Sequence, residues 1–223
     1  MKQFLFLYPI HQYIDQEIKK GAHIIRDENK EKEFLKRLNQ ATSEHEKEVI
    51  RQEALQAIRL EFRVRYRDQL NACIDARYRQ KDFGINYAVF DGSPVSDVIR
   101  LQRSDKIIQV GMNFETHTTT QANGEFPYPD PDYVLNQIPE TNVLRIAGFH
   151  MWDCVEKIAK RAYERGLDTL VDEDLTEFFN MRLKDPDFKI DRYPSYNPRK
   201  IPGDFFEMFM AAREDKPWLW QEY

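Results

Sequence analysis

The residues best suited to chemistry gather in one segment. From Asn142 to Phe179 the chain reads NVLRIAGFHMWDCVEKIAKRAYERGLDTLVDEDLTEFF, in which an apolar run delivers Gly148 and a short turn delivers Cys154 six residues later. From Asp153 to Arg165 the spacing is helical, with Val155, Ile158, Ala159 and Ala162 on one face and Glu156, Lys157, Lys160 and Arg161 on another. Cys154 therefore opens a helix, where backbone N–H groups and the helix dipole favour the thiolate, the nucleophilic form of cysteine. His150 stands four residues before it, and His11 lies just beyond the first apolar run, so both can reach the same end of a sheet. Either histidine, or Asp153, would serve as the base, provided its acceptor atom comes within hydrogen-bond reach of the sulfur. The structural alternative is a small buried hydrophobe at a helix start, flanked by hydrogen-bonded histidines. Tyr8, Asp91, His117 and Trp152 are the residues expected to contact a substrate at that end.

Positioning these groups requires strands. Phe4–Tyr8 is a short apolar run stopped by Pro9, without helical spacing, as in a strand buried on both faces. Runs of the same kind are Ile85–Phe90, Lys106–Val110, Val143–Ala147 and Thr169–Val171. Alternation with helical stretches, one of them closed by Gly166, predicts a three-layer α/β fold with a mostly parallel sheet of five or six strands. Ligands of such sheets sit beyond the carboxyl ends of the strands. Between about residues 27 and 82 the pattern is broken by a long helical insertion, with Thr42-Ser43 and Glu46 reading as a capping signal that divides it near residue 42. Its apolar stripe, from Ile50 through Ala54, Ile58 and Phe62 to Leu70, must dock on the sheet or on a second copy of the chain. A homo-oligomer through this arm is the expected assembly.

The stretch from Asn142 to Phe179 resembles the isochorismatase-like cysteine hydrolases. The likeness rests on Gly148, on Cys154-Val155 six residues later, on Gly166, and on Val171-Asp172-Glu173-Asp174 at the end of the next strand. It covers about forty residues well and fits more loosely at strand one and from Ser104 to Thr120. The resemblance implies attack by the cysteine on an amide or vinyl ether carbon, with an Asp ending strand one as base and a Lys following the third strand. In this chain Tyr8 stands at the Asp position and the Lys position falls near Val110. What the resemblance then implies is the fold with a lost or altered hydrolase activity, acting by binding or assembly. An active hydrolase using Cys154 with His150 or His11 is the alternative.

A third reading is a magnesium-dependent phosphoester enzyme, since Asp91 follows one strand and Asp172, Glu173 and Asp174 follow another, and hard cations take oxygen ligands. Asp-Gly-Ser is equally an ordinary turn. The arginines at 59, 63 and 67 form a guanidinium stripe, diluted by Glu61 and Asp68 and read as a solvated face. With 38 acidic and 33 basic residues the net charge is −5, which argues against a nucleic-acid partner. A composition 41% hydrophobic and 13% aromatic supports a core without disulfides or a structural metal, and Cys73 and Cys154 lack the spacing of a zinc site. No cofactor is expected; the partners foreseen are a small-molecule ligand and a second copy. The N-terminal apolar run is too short for a signal peptide or membrane span, so a cytoplasmic protein is expected. The connection from Gly111 to Pro131 reads as a lid or a plain surface loop. Residues from about 182 to 223 form a proline- and aromatic-rich tail wrapping a single α/β domain, with one short helix over Asp204–Arg213.

Overall fold

A computed structural model describes residues 1–21, 28–122, 124, 126–177, 190, 211 and 214–219. Five parallel strands form one sheet in the order β3-β2-β1-β4-β5: β1 (Lys2–Leu7), β2 (Phe83–Val89), β3 (Lys106–Gln109), β4 (Val143–Gly148) and β5 (Asp168–Thr176). The chain moves from β1 outward to β2 in one direction and from β4 outward to β5 in the other. Right-handed crossovers therefore put the intervening helices on opposite faces, giving the three-layer α/β fold expected from the sequence. β1 is central and buried from Phe4 to Leu7. The gap between β1 and β4 is where the strand order reverses, the usual place for a ligand in such sheets.

The β1–β2 connection holds α1 (His11–Gly21), α2 (Glu28–Gln40) and α3 (Glu44–Arg77). The break between the last two falls at the capping signal: Ser43 Oγ accepts from Glu46 N at 3.1 Å, and the Glu46 carboxylate accepts from Thr42 N at 2.9 Å. With 34 residues α3 is about 50 Å long, more than twice the roughly 20 Å of β1. Its C-terminal half packs on the sheet through Phe62, Tyr66, Leu70, Cys73 and Ile74, while its N-terminal half and α2 project as a helical hairpin. Helix α1 has no counterpart among the sequence expectations. The shorter helices α4 (Phe114–Thr118) and α5 (Pro131–Leu135) lie between β3 and β4, and α6 (Glu156–Glu164) joins β4 to β5.

The strand predicted over Thr169–Val171 runs on to Thr176, so Asp172, Glu173 and Asp174 lie inside β5 and not beyond it. All three are buried. Asp172 survives there because Arg77 Nη1 donates to both its oxygens at 3.0 Å and the Tyr78 hydroxyl donates at 2.6 Å. Asp174 lies 3.4 Å from the same guanidinium, which is itself fully buried. A charge taken from water is tolerable only with such partners. Trp218 and Leu219 of the tail add a bridge to the β5 edge, the Trp218 carbonyl accepting from Val171 N at 2.9 Å. The other aromatic residues of the expected tail, and the helix over 204–213 apart from Ala211, lie outside the described residues. Among the described residues no helix is long and apolar enough to cross a membrane.

Removing the Arg77 side chain charge strands at least one buried carboxylate. Arg77→Met is expected to lower unfolding free energy by about 3–5 kcal/mol in urea titration, whereas Arg63→Met at the exposed Asp97 pair costs about 1 kcal/mol or less.

Candidate functional site

The carboxyl ends of β1 and β4 come into unusually close contact at Gly148. Its φ is +120°, and a Cβ there would lie 2.1 Å from the Leu7 carbonyl oxygen and 2.6 Å from Leu7 N. Only glycine tolerates both the angle and the approach. One residue on, Phe149 N donates to Leu7 O at 3.2 Å, and the Phe149–His150 peptide is cis. Tyr8 leaves β1 with φ of +57°, a conformation rare for a side-chain-bearing residue, which turns its ring inward before Pro9. Its hydroxyl lies beside the Cys154 thiol.

Cys154 does not open the regular helix as the spacing suggests. Met151–Val155 form an irregular wide turn in which Asp153 adopts φ −138° and ψ −106°, and α6 starts at Glu156. The thiol is 3% exposed, and burial pushes it up to about 12, helped by the adjacent Asp153 carboxylate. The Tyr8 hydroxyl, the Lys157 ammonium and the backbone N–H of Cys154 itself act in the opposite direction but do not prevail. Burial dominates because it removes water from the charged form without supplying a full countercharge. Tyr8 is likewise held well above the ordinary range, first by burial and then by the thiol. Although the two groups are neighbours, Tyr8 Oη makes no hydrogen bond of ordinary geometry.

The two histidines expected to activate the thiol are engaged elsewhere. His150 Nδ1 pairs with Glu177 Oε2 at 2.9 Å, and its ring stands edge-on to Tyr13 at 4.8 Å. His11, at the start of α1, lies 3.5 Å from Ser96 Oγ and 3.7 Å from Asp97 Oδ1. Neither hydrogen-bonds the sulfur. Trp152 is 38% exposed and faces the Lys216 ammonium at 5.3 Å, and Asp91 is exposed, accepting from Gly111 N at 2.9 Å in a turn that ties β2 to β3. Asp91 therefore stays out of the site. Its strand is separated from β5 by β1 and β4, about 14 Å across the ladder, so Asp91 and Asp172 share no ion. Among the described residues no group of three or more His, Cys, Asp or Glu is placed to hold a metal.

His117 joins Tyr8. The short helix α4, capped by Asn113 Oδ1 accepting from Thr116 N, lays its ring on Phe90 at 4.9 Å and near Tyr8 at 6.2 Å. Nδ1 contacts the Pro127 carbonyl at 2.8 Å, and because a carbonyl only accepts, Nδ1 donates, which in the neutral ring leaves the lone pair on Nε2. Tyr128 follows, its ring under the Lys157 ammonium at 3.6 Å and its hydroxyl beside Asp153. His117 and Tyr128 of the connection between β3 and β4 thus border the site.

Sequence reasoning missed Tyr13, Phe90, Tyr128 and Lys157. Lys157 carried a signal: it stands three residues after Cys154 and four after Asp153, whose carboxylate it binds. The aromatic residues carried none, being indistinguishable in sequence from ordinary core. Comparison of the chain with family models, with curated proteins and with solved structures returns no match.

Because Tyr8 Oη is buried without a hydrogen bond, Tyr8→Phe is expected to leave thermal stability unchanged or raise it by about 1 kcal/mol. Gly148→Ala, which drives a methyl into Leu7, is expected to cost about 2–4 kcal/mol or abolish folding, as read by circular dichroism melting.

Proposed function

We propose that this chain is an isochorismatase-like protein whose cysteine-hydrolase activity is lost or altered, and that it acts by binding a small molecule where β1 and β4 meet and by assembling through its helical arm. One observation carries the reading: the thiol at the nucleophile position is buried beside a tyrosine and a carboxylate, and no histidine acts on it as a base. A neutral thiol attacks poorly, and the Tyr8 hydroxyl is a hydrogen-bond donor that cannot replace a carboxylate base at neutral pH.

What remains is a polar set suited to recognition. Tyr8 Oη offers an unused donor, His117 Nε2 offers a lone pair, and Tyr13, Phe90 and Phe114 supply aromatic walls. A small planar molecule with one acceptor and one donor suits these groups. Two free cysteines fit a reducing, cytoplasmic setting.

A rewired hydrolase is the second reading, favoured by the Asp153–Lys157 pair beside the sulfur. There Asp153 would accept the thiol proton and Lys157 would stabilise negative charge on the attacked oxygen.

Alkylation by iodoacetamide across pH separates the two, in a Cys73→Ala background because Cys73 is also buried and pushed up to about 12. In the binding reading Cys154 reacts about a thousandfold more slowly than a free thiol at neutral pH, with the rate rising only toward pH 12. Fast labelling with an apparent pKa at or below 8.5 would discard that reading in favour of the hydrolase. The same shift has a stability sign. A thiol whose folded value is raised contributes nothing below its unfolded value near 9 and destabilises the fold progressively as pH rises from there toward 12. Cys154→Ser in that background is expected to flatten the alkaline loss of stability.

A further inference from the structure

The helical arm is under-supplied with burial for a free-standing hairpin. Between Asn29 and Glu61 Ile50 is the one buried side chain, whereas Leu35 is 51% and Leu60 is 64% exposed, and Val49 and Leu55 are also exposed. Two helices held together by so little apolar contact fall short of the packing that normally stabilises helices in water. The cross-hairpin ion pairs, Lys30 with Glu61 and Arg37 with Glu53, are exposed and contribute little.

One face of α3 shows what could cover it. Val49, Gln56, Leu60 and Arg63 lie seven, four and three residues apart, so they form one stripe along α3, with Glu53 at its edge paired to Arg37 of α2. Beside it, Asp15, Ile18 and Lys19 of α1 join Gln56, Arg59, Leu60 and Arg63 in lining an open groove of about 300 Å³. The stripe and its flanks are polar in charge: Glu44, Glu46 and Glu48 lie at the N-terminal end of α3, and Arg59, Arg63 and Arg67 further along. Among the described residues Arg59 makes no ion pair. An acidic end and a basic end on one helix complement each other only when a second helix lies antiparallel.

We propose that the occupant of this groove is the α3 helix of a second copy, packed antiparallel about a two-fold axis near Ala54 and Leu55. An isologous contact requires that if residue i meets j, then j meets i. With the axis there, Leu60 meets the partner's Val49, Arg63 meets the partner's Glu46, and Arg59 lies beside the partner's Glu48. The overlap from residue 45 to 64 spans about 30 Å of helix on each side. With α2 of each copy the contact makes a four-helix bundle, which buries Val49 and Leu60, two of the apolar side chains that the single hairpin leaves in water. The inference specifies the assembly half of the proposed function and is independent of the state of Cys154.

Sedimentation velocity of the full chain tests it, with thiol alkylation as the separate readout of the site. At about 50 µM the protein is expected to sediment as twice its 26.7 kDa chain mass. Leu60→Glu is expected to weaken dimerisation at least about tenfold while α-helical circular dichroism is retained. Arg59→Glu and Glu48→Arg are each expected to weaken it, and the double swap to restore it, which no loss of local helix stability would reproduce. A monomer at that concentration, or a dimer indifferent to Leu60→Glu and to the charge swap, would overturn the proposal. In the first case the groove is left to an acidic partner of another sequence.

Discussion

Everything at the candidate site depends on the absence of a side chain at position 148. With φ of +120° and the Leu7 backbone at contact distance, Gly148 lets β4 end against the end of β1, and the two chains then diverge from one point. Tyr8 is thrown inward on one side and the 149–155 turn is laid over it on the other, so that the hydroxyl and the sulfur meet. Because strand order reverses between these two strands, no third strand fills the space above them. His117 and Tyr128 border it from the β3–β4 connection.

A second constraint fixes the arm. Arg77, the last residue of α3, carries its charge into the interior and is held by Asp172 and Asp174 of β5. Phe4 of β1 stacks on the neighbouring Tyr78 at 3.8 Å, whose hydroxyl reaches the same Asp172. The long helix is thereby anchored at one end to the sheet by a desolvated ion pair and a ring stack, while its other end projects. An anchor of this sort specifies where the helix sits more than it stabilises the fold, since a buried pair repays its own desolvation only through good geometry.

The sheet was legible in the sequence because parallel strands buried on both faces read as uninterrupted apolar runs, as at Phe4–Leu7 and Tyr87–Val89. The break in the helical insertion was legible because a capping box is a local device written in adjacent residues. β5 was underestimated for the opposite reason: Asp172-Glu173-Asp174 looks like a turn until a guanidinium 95 positions away is brought to it. The same non-local logic redirected the site. Position alone put His11, His150, Asp91 and Trp152 at the strand ends, but each pairs with its own neighbour, whereas Tyr8 lies beside Cys154 on one side and His117 on the other. The helix start was misplaced by the irregular backbone at Asp153, and with it went the dipole expected to favour the thiolate.

The character of the site turns on the proton of Cys154. A buried sulfur flanked by a neutral hydroxyl and a carboxylate keeps that proton, and a kept proton separates recognition from turnover. The most direct measurement is the infrared S–H stretching band of the Cys73→Ala protein at about pH 8, assigned by its loss in the additional Cys154→Ser variant. The account predicts a full-intensity S–H band from Cys154 at that pH. A missing band, with thiolate ultraviolet absorbance in its place, would contradict it.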